Sequence, residues 1–279
     1  MLIRPITTLE ECRRVVELER AVWEITDAED LVPVPILVVS IKRGGLLLGA
    51  FDAWGGMKGF AYSLAAFKGG RPTQWSHMLG VVAGARGSGI GTRLKLAQRE
   101  HALRAGIDLV EWTYDPLQVV NAHFNFAKLG VVAREYVENA YGASSSPLHR
   151  GTPTDRFIAE WHLGSAHVRR RIAAVSPYRL TDATLGSTPT VNPGRAVGEW
   201  LAPGPAADDL EASRVLVEIP AGFTTMLARN PDLALEWRLS TRAIFQAYLG
   251  RGYEAVDFAT SRDRSRGHYL LARQAAAHP

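Results

Sequence analysis

The chain has 279 residues, 47% of them hydrophobic, enough to bury a core spread over one and a half to two domains. Lys and Arg number 32 against 28 Asp and Glu, a net charge of +4 with a pI of about 9.3, which gives mild attraction to anions. One cysteine excludes an internal disulfide and a multi-cysteine zinc site, and no apolar run is long enough to span a bilayer.

In chain order, Leu2 to Ile6 reads as an opening strand, and Thr7 or Thr8 caps a helix whose apolar positions Val15, Val16, Leu18 and Trp23 keep helical spacing. Cys12 on that helix is a packing residue. Pro33 to Ile41 forms a second helix with its prolines confined to the start. Leu46 to Trp54 and Lys58 to Phe67 are strands split by Gly55-Gly56, and a short apolar strand ends at Val82. A helix follows from about Ile90 to Gly106, then a strand from Asp108 to Tyr114. A helix from about Val119 to Leu129 and strands at Val131 to Glu138 and Phe157 to Leu163 complete this half.

The most informative stretch is Arg86-Gly87-Ser88-Gly89-Ile90-Gly91, between the apolar strand and the helix from Ile90. Unpaired N–H groups of a first helical turn and the helix dipole make such a junction an anion site, and glycines let backbone approach a phosphate closely. The NTPase phosphate loop fails here, because Ile90 and Gly91 stand where Lys and Ser/Thr are needed. The dinucleotide fingerprint fails too, since Gly87, Gly89 and Gly91 miss its spacing by one residue.

The stretch resembles the acyl-CoA loop of the GNAT N-acyltransferases, Arg/Gln-x-x-Gly-x-Gly/Ala, with Val81 at the cofactor-lining position and Ala83 where proline is frequent. The order of elements over residues 1 to about 164 is that of the GNAT fold, a mixed α/β sheet flanked by helices. The segments Tyr114-Asp115-Pro116-Leu117, Asn121-Ala122-His123, Lys128-Leu129-Gly130, Asn139-Ala140-Tyr141-Gly142 and Asp155-Arg156-Phe157 are similar to a bacterial subgroup of predicted GNAT acyltransferases with an extra C-terminal region. The resemblance implies a co-substrate, acetyl-CoA or succinyl-CoA. Its pyrophosphate would lie on the amides of Arg86, Gly87, Ser88, Gly89, Ile90, Gly91 and Thr92, and its pantetheine along Val81 and Val82. Asn121 matches an asparagine near the cofactor arm, and Phe126 stands where the family often has the tyrosine that protonates departing CoA.

Acyl transfer to an amine needs a proton acceptor, an oxyanion donor and a leaving thiolate. His77, placed by alternation on the face of Leu79 and Val81, suits a base near neutrality, with a hydrogen-bonded strand histidine as the equal alternative. Glu111 on the next strand is either a second candidate or an ion-paired strand carboxylate, and Asp115 either serves the site or fixes the turn before Pro116. Tyr136 and Tyr141 are candidate acids in place of Phe126, and a backbone N–H near Val81 or Val82 is the candidate oxyanion donor. His101 and His123 have no further ligands at metal spacing, so no metal is expected.

The expected domains are 1–164, a connecting segment at 165–195 with one short helix, and a C-terminal α/β extension at 196–279. Within the extension, Arg214 to Ile219, Ala255 to Ala259 and His268 to Ala272 read as strands and Ala234 to Leu249 as a helix. That order is like a degenerate half GNAT domain without its glycine loop; it would extend the sheet, wall the acceptor pocket or make a homodimer contact. Trp237, Arg238 and Arg242 face an acidic acceptor or are plain surface positions of that helix. The expected partner is a small-molecule amine such as an amino acid, without nucleic acid or membrane. The acid-bearing N-terminus lacks a signal-peptide pattern, so a cytoplasmic setting is expected.

Overall fold

The Thr8-to-Glu11 spacing makes a reciprocal cap in the computed structural model of the chain. Thr8 Oγ1 accepts from Glu11 N at 3.2 Å, and the Glu11 carboxylate accepts from Thr8 N at 3.4 Å. Helix α1 therefore starts at Leu9 and runs to Trp23. The structure describes residues 1–142, 151–174, 182–207 and 209–273, so 175–181 of the expected connecting segment lie outside the described residues. Among the described residues, no helix is long and apolar enough to cross a membrane.

The described residues form two units, Met1–Trp112 with His162–Gly164, and the remainder. In the first unit, α2 spans Val34–Lys42, α3 Ile90–Arg104, and strands β1 to β5 span Leu2–Pro5, Leu46–Phe51, Met57–Lys68, Arg71–Val81 and Leu109–Tyr114, the last two residues of β5 belonging to the second unit. The strands lie in chain order, antiparallel from β1 to β4 and parallel between β4 and β5. One face of the sheet buries Phe60, Tyr62 and Met78 against Cys12, Val15 and Leu37 of α1 and α2. The other buries Leu48, Ala50 and Ala61 against Ile90 and Leu94 of α3. This is the mixed α/β layering expected from the sequence.

β4 is longer than expected. It begins at Arg71, directly after a Gly69-Gly70 turn in which both residues have positive φ, and pairs with β3 from Lys68↔Arg71 onward. The register slips between Tyr62↔Met78 and Ser63↔Ser76, which makes His77 the extra residue of a β-bulge. The bulge corrects the face assigned to His77. Its ring meets the Tyr62 ring edge-on at 5.9 Å, and Tyr62 belongs to the α1/α2 cluster, whereas Leu79 and Val81 pack with α3.

Glu19 of α1 is 3% exposed, and both its carboxylate oxygens accept from Val32 N, at 3.1 and 3.2 Å, fastening the segment before α2. Burial pushes its pKa up to about 7, outweighing the Val32 bond. A raised folded pKa means stability falls as pH rises from the ordinary carboxylate range through about 7 and then levels. Glu19→Gln, which keeps an acceptor for Val32 N, is expected to be more stable than the parent by about 1–3 kcal/mol at pH 8 and equal to it near pH 4.5. Urea unfolding at the two pH values checks this.

In the second unit, α4 (Val119–Ala122) continues into a π-helical stretch, His123–Leu129. Then come β6 (Val132–Val137), β7 (Arg156–His162, whose last residue counts with the first unit), α5 (Ala166–Ala173) and α6 (Asp182–Ser187). A small hairpin of β8 (Arg195–Val197) and β9 (Trp200–Ala202) precedes β10 (Arg214–Pro220), α7 (Phe223–Arg229), α8 (Pro231–Gly250), β11 (Tyr253–Thr260) and β12 (Arg266–Arg273). Two helices lie where one was expected in 165–195, and both the hairpin and α7 were not foreseen. The strand order is β7-β6-β11-β12-β10. Helix, positive-φ glycine and two antiparallel strands occur twice, as His123–Leu129, Gly130, β6, β7 and as α8, Gly252, β11, β12. The two copies meet antiparallel at Ala133↔Ala255, each alanine three residues beyond its glycine.

The division between the units falls after Trp112, ahead of the expected boundary at 164. An aromatic core accounts for this. Phe157 packs on Phe245 at 4.6 Å and on Tyr269 at 5.5 Å, while Phe126 meets Tyr269 at 5.6 Å and Tyr114 at 6.3 Å. Residues of β5, the π-helix and β7 thus share one core with α8 and β12.

Candidate functional site

The parallel ladder between β4 and β5 consists of Gln74↔Val110 and Trp75↔Glu111. β4 continues six residues further, to Val81, without β5 beside it, while β3 pairs along its other edge as far as Val81. Val82 N donates to Lys58 O of β3 at 3.0 Å. This removes Val82 from the expected oxyanion donors. Strand alternation then turns Val81 N–H toward the open edge.

The turn after β4 is held from within. Arg86 Nε donates to Val81 O at 3.3 Å and its Nη2 to Val22 O of α1 at 3.2 Å, so this guanidinium clasps the loop with part of its donor set. Ser88 Oγ donates to Ala85 O at 2.7 Å and is likewise a loop bond. Gly87 and Gly89 have φ of +78° and +83°, and a Cβ at either would meet open space. Gly89 caps α3 without a side-chain partner, and the first helical bond runs from Arg93 N to Gly89 O. Among the described residues, the amides of Gly87, Ser88, Gly89, Ile90, Gly91 and Thr92 have no hydrogen-bond partner. The Ile90 side chain is buried with Leu94 and anchors the turn. The result is a run of unpaired donors, exposed from Gly87 to Gly89 and half-buried at Gly91 and Thr92, on the positive end of a 15-residue helix.

His77 is the titratable side chain at the bulge. Solvent reaches its ring, yet the protein around it removes part of its hydration and lowers its pKa below the ordinary imidazole value. At neutral pH it is an unprotonated acceptor. Glu111 is bound to Lys68 Nζ at 2.6 Å, which gives it the ion-paired strand role.

The remaining expected residues belong to the second unit. Asn121 is exposed on α4, while Phe126 is wholly buried in the aromatic core, which overturns its expected contact with a cofactor. The π-helical stretch adds a residue to the turn, so side chains after Ala122 leave the faces that α-helical spacing assigns them. Tyr141 is half exposed, its hydroxyl 2.6 Å from Thr113 Oγ1 and its ring beside the Arg156 guanidinium. Tyr136 donates to Asp155 at 2.7 Å, and burial raises its pKa far above the ordinary phenol value. Asp115 fixes the turn, accepting Leu117 N at 2.9 Å, and takes a bidentate ion pair from Arg238 at 2.7 and 2.8 Å. Arg242 pairs with Asp155, and Trp237 donates to Leu201 O at 2.7 Å, so none of these three α8 residues is a plain surface position.

Sequence reasoning missed a buried polar chain in the first unit. Lys95 of α3 is 2% exposed, donates to Ser76 Oγ at 2.8 Å, and lies 3.5 Å over the Trp112 ring. Ser76 donates to Gln98 Oε1 at 3.4 Å, and Gln98 Nε2 reaches Ser63 Oγ at 2.6 Å and Gln74 Oε1 at 3.5 Å. Gln74 Nε2 ends this chain as a buried donor without a partner. An unmet buried donor costs about 1–3 kcal/mol. Among the described residues, no three His, Cys, Asp or Glu side chains are placed to hold a metal ion.

No family model matches the sequence, and no curated protein matches it. Among solved structures, the chain is similar to a ribosomal-protein-alanine N-acetyltransferase from Brucella melitensis, at 20% identity over 57% of this chain and 98% of that one, TM-score 0.48. It is similar to YncA from Salmonella typhimurium, solved with acetyl-CoA, at 17% identity over 59% and 95% of the two chains, TM-score 0.46. It is similar to smu.2055 from Streptococcus mutans, at 18% identity over 58% and 99%, TM-score 0.47.

Proposed function

We propose that this chain is a GNAT-type N-acyltransferase that moves an acyl group, acetyl or succinyl, from CoA to the amine of a small molecule such as an amino acid. The observation that carries it is the run of unpartnered amides from Gly87 to Thr92, set at the end of a β4 that has left β5. Those donors suit a pyrophosphate, and the open edge of β4, with Val81 N–H on it, suits an amide-bearing arm lying alongside as an added strand.

In this mechanism the amine attacks the thioester directly in a ternary complex. His77, neutral at physiological pH, accepts the amine's proton directly or through water. A backbone N–H of β4 stabilises the oxyanion. With Phe126 in the core, CoA leaves as the thiolate, which a thiol pKa of about 8.5 allows. A non-catalytic acyl-CoA-binding protein is the second reading, favoured by the absence of a proton donor at Phe126.

Calorimetric titration with CoA, acetyl-CoA and succinyl-CoA tests the site. Saturable binding is expected, followed by thiol release when an amine screen is added. Failure of all three to bind overturns both readings. Binding without turnover for any amine selects the second.

A further inference from the structure

His77 lacks the support that usually aims a catalytic imidazole, a hydrogen bond from its second ring nitrogen to a carboxylate or a carbonyl. Among the described residues, neither of its ring nitrogens has a hydrogen-bond partner, and burial is what lowers its pKa. Its backbone is a loose guide as well. As the extra residue of the β-bulge, His77 falls between the pairs Tyr62↔Met78 and Ser63↔Ser76 and has no cross-strand partner of its own. Its ring contact is with Tyr62, edge-on at 5.9 Å with the two planes 86° apart.

Tyr62 is a firm support. It is 1% exposed, and its hydroxyl lies 2.5 Å from Ser40 Oγ of α2. Ser40 is a fixed point in its turn, because its carbonyl accepts from Arg43 N at 3.0 Å and from Gly45 N at 2.8 Å where α2 gives way to β2. A Cβ on Gly45 would lie 2.8 Å from that carbonyl oxygen and 2.7 Å from Ser63 O of β3, so this close approach requires glycine. The end of α2 thus holds Ser40, Ser40 holds the phenol, and the phenol ring borders the imidazole.

We propose that Tyr62, pinned through its hydroxyl by Ser40, is the positioning residue of His77 and sets the pose in which the imidazole takes the proton of the attacking amine. This rests on the acyltransferase reading, with His77 as the base. A base works only within hydrogen-bond reach of the proton it removes, so loss of the pose costs rate. Acyl-CoA affinity stays, since the proposed CoA contacts lie on the glycine loop and the open edge of β4.

The test measures thiol release from acetyl-CoA or succinyl-CoA, with an amine from the screen, against pH. In Tyr62→Leu, with folding checked by circular dichroism, kcat is expected to fall at least tenfold while acyl-CoA affinity stays within twofold. Solvent then returns to the imidazole, so the acidic limb of kcat/KM is expected to move up in pH toward the ordinary imidazole value. Ser40→Ala and Tyr62→Phe each remove one hydroxyl of the pair and keep the ring. Each is expected to lower kcat about threefold, and the double variant no further. They carry the test alone if Tyr62→Leu does not fold, and unchanged or additive rates then overturn the inference. An unchanged kcat in folded Tyr62→Leu, or a lower one with the acidic limb unmoved, overturns it and leaves the acyltransferase reading standing. If the parent releases no thiol with any amine, or His77→Gln works as well as the parent, the underlying reading of the site falls and this inference with it.

Discussion

Gly89→Val is expected to weaken CoA binding at least 100-fold while the protein stays folded. Gly89 sits at φ +83° as the cap of α3, and a Cβ there would meet nothing of the protein, so the fold bears only backbone strain of about 1–3 kcal/mol. A phosphate lying on the amides from Gly87 to Thr92 would meet the valine side chain and lose its approach. Loss of two charge-assisted hydrogen bonds, at about 1.5–3 kcal/mol each, corresponds to 100-fold or more. Calorimetry with CoA and a thermal melt of the variant separate the two effects. Undiminished affinity in a folded Gly89→Val protein removes the anion site.

Arg238→Ala is expected to cost about 3–5 kcal/mol and lower the melting temperature by roughly 10 °C. The pair with Asp115 is almost wholly buried, with side chains 2% and 9% exposed, and truncation strands a carboxylate inside the second unit. Arg238→Met with Asp115→Asn removes both charges while leaving an acceptor for Leu117 N, and should recover most of the loss. The Arg238 guanidinium holds the Asp115 carboxyl below its ordinary range against the opposing effect of burial. A lowered folded pKa puts this stability above the ordinary carboxylate range and loses it as pH falls through the folded value. The gap between parent and variant should therefore narrow in strong acid. A melt within 2–3 °C of the parent at neutral pH would show the pair to be dispensable.

The glycine loop and the order of elements through β7 were legible in the sequence because they are local. Caps, turn glycines and apolar runs announce themselves within a few residues. The start of β4 was not, since Thr73, Gln74 and Ser76 are polar and look solvated, whereas all three are buried and Gln74 and Ser76 turn inward to Gln98 and Lys95 of α3. The His77 bulge is invisible for a related reason, because strict alternation is the only signal a strand sequence carries and a single inserted residue reverses it. Phe126 was misplaced by the π-helical turn, which shifts the phase of every side chain after Ala122. Arg238 and Arg242 read as surface charge because their partners, Asp115 and Asp155, lie more than 80 positions away in the chain.

The meeting of Ala133 with Ala255 bears on how the protein associates with itself. An uncovered strand margin invites a second molecule to add its own strand there, and β6 would offer such a margin if β11 were removed. The chain instead supplies that neighbour from its own repeat, in the antiparallel orientation that a two-fold axis between separate molecules would impose. The C-terminal repeat thus takes the seat of a second subunit at β6, and any homodimer of this protein must be built on another surface.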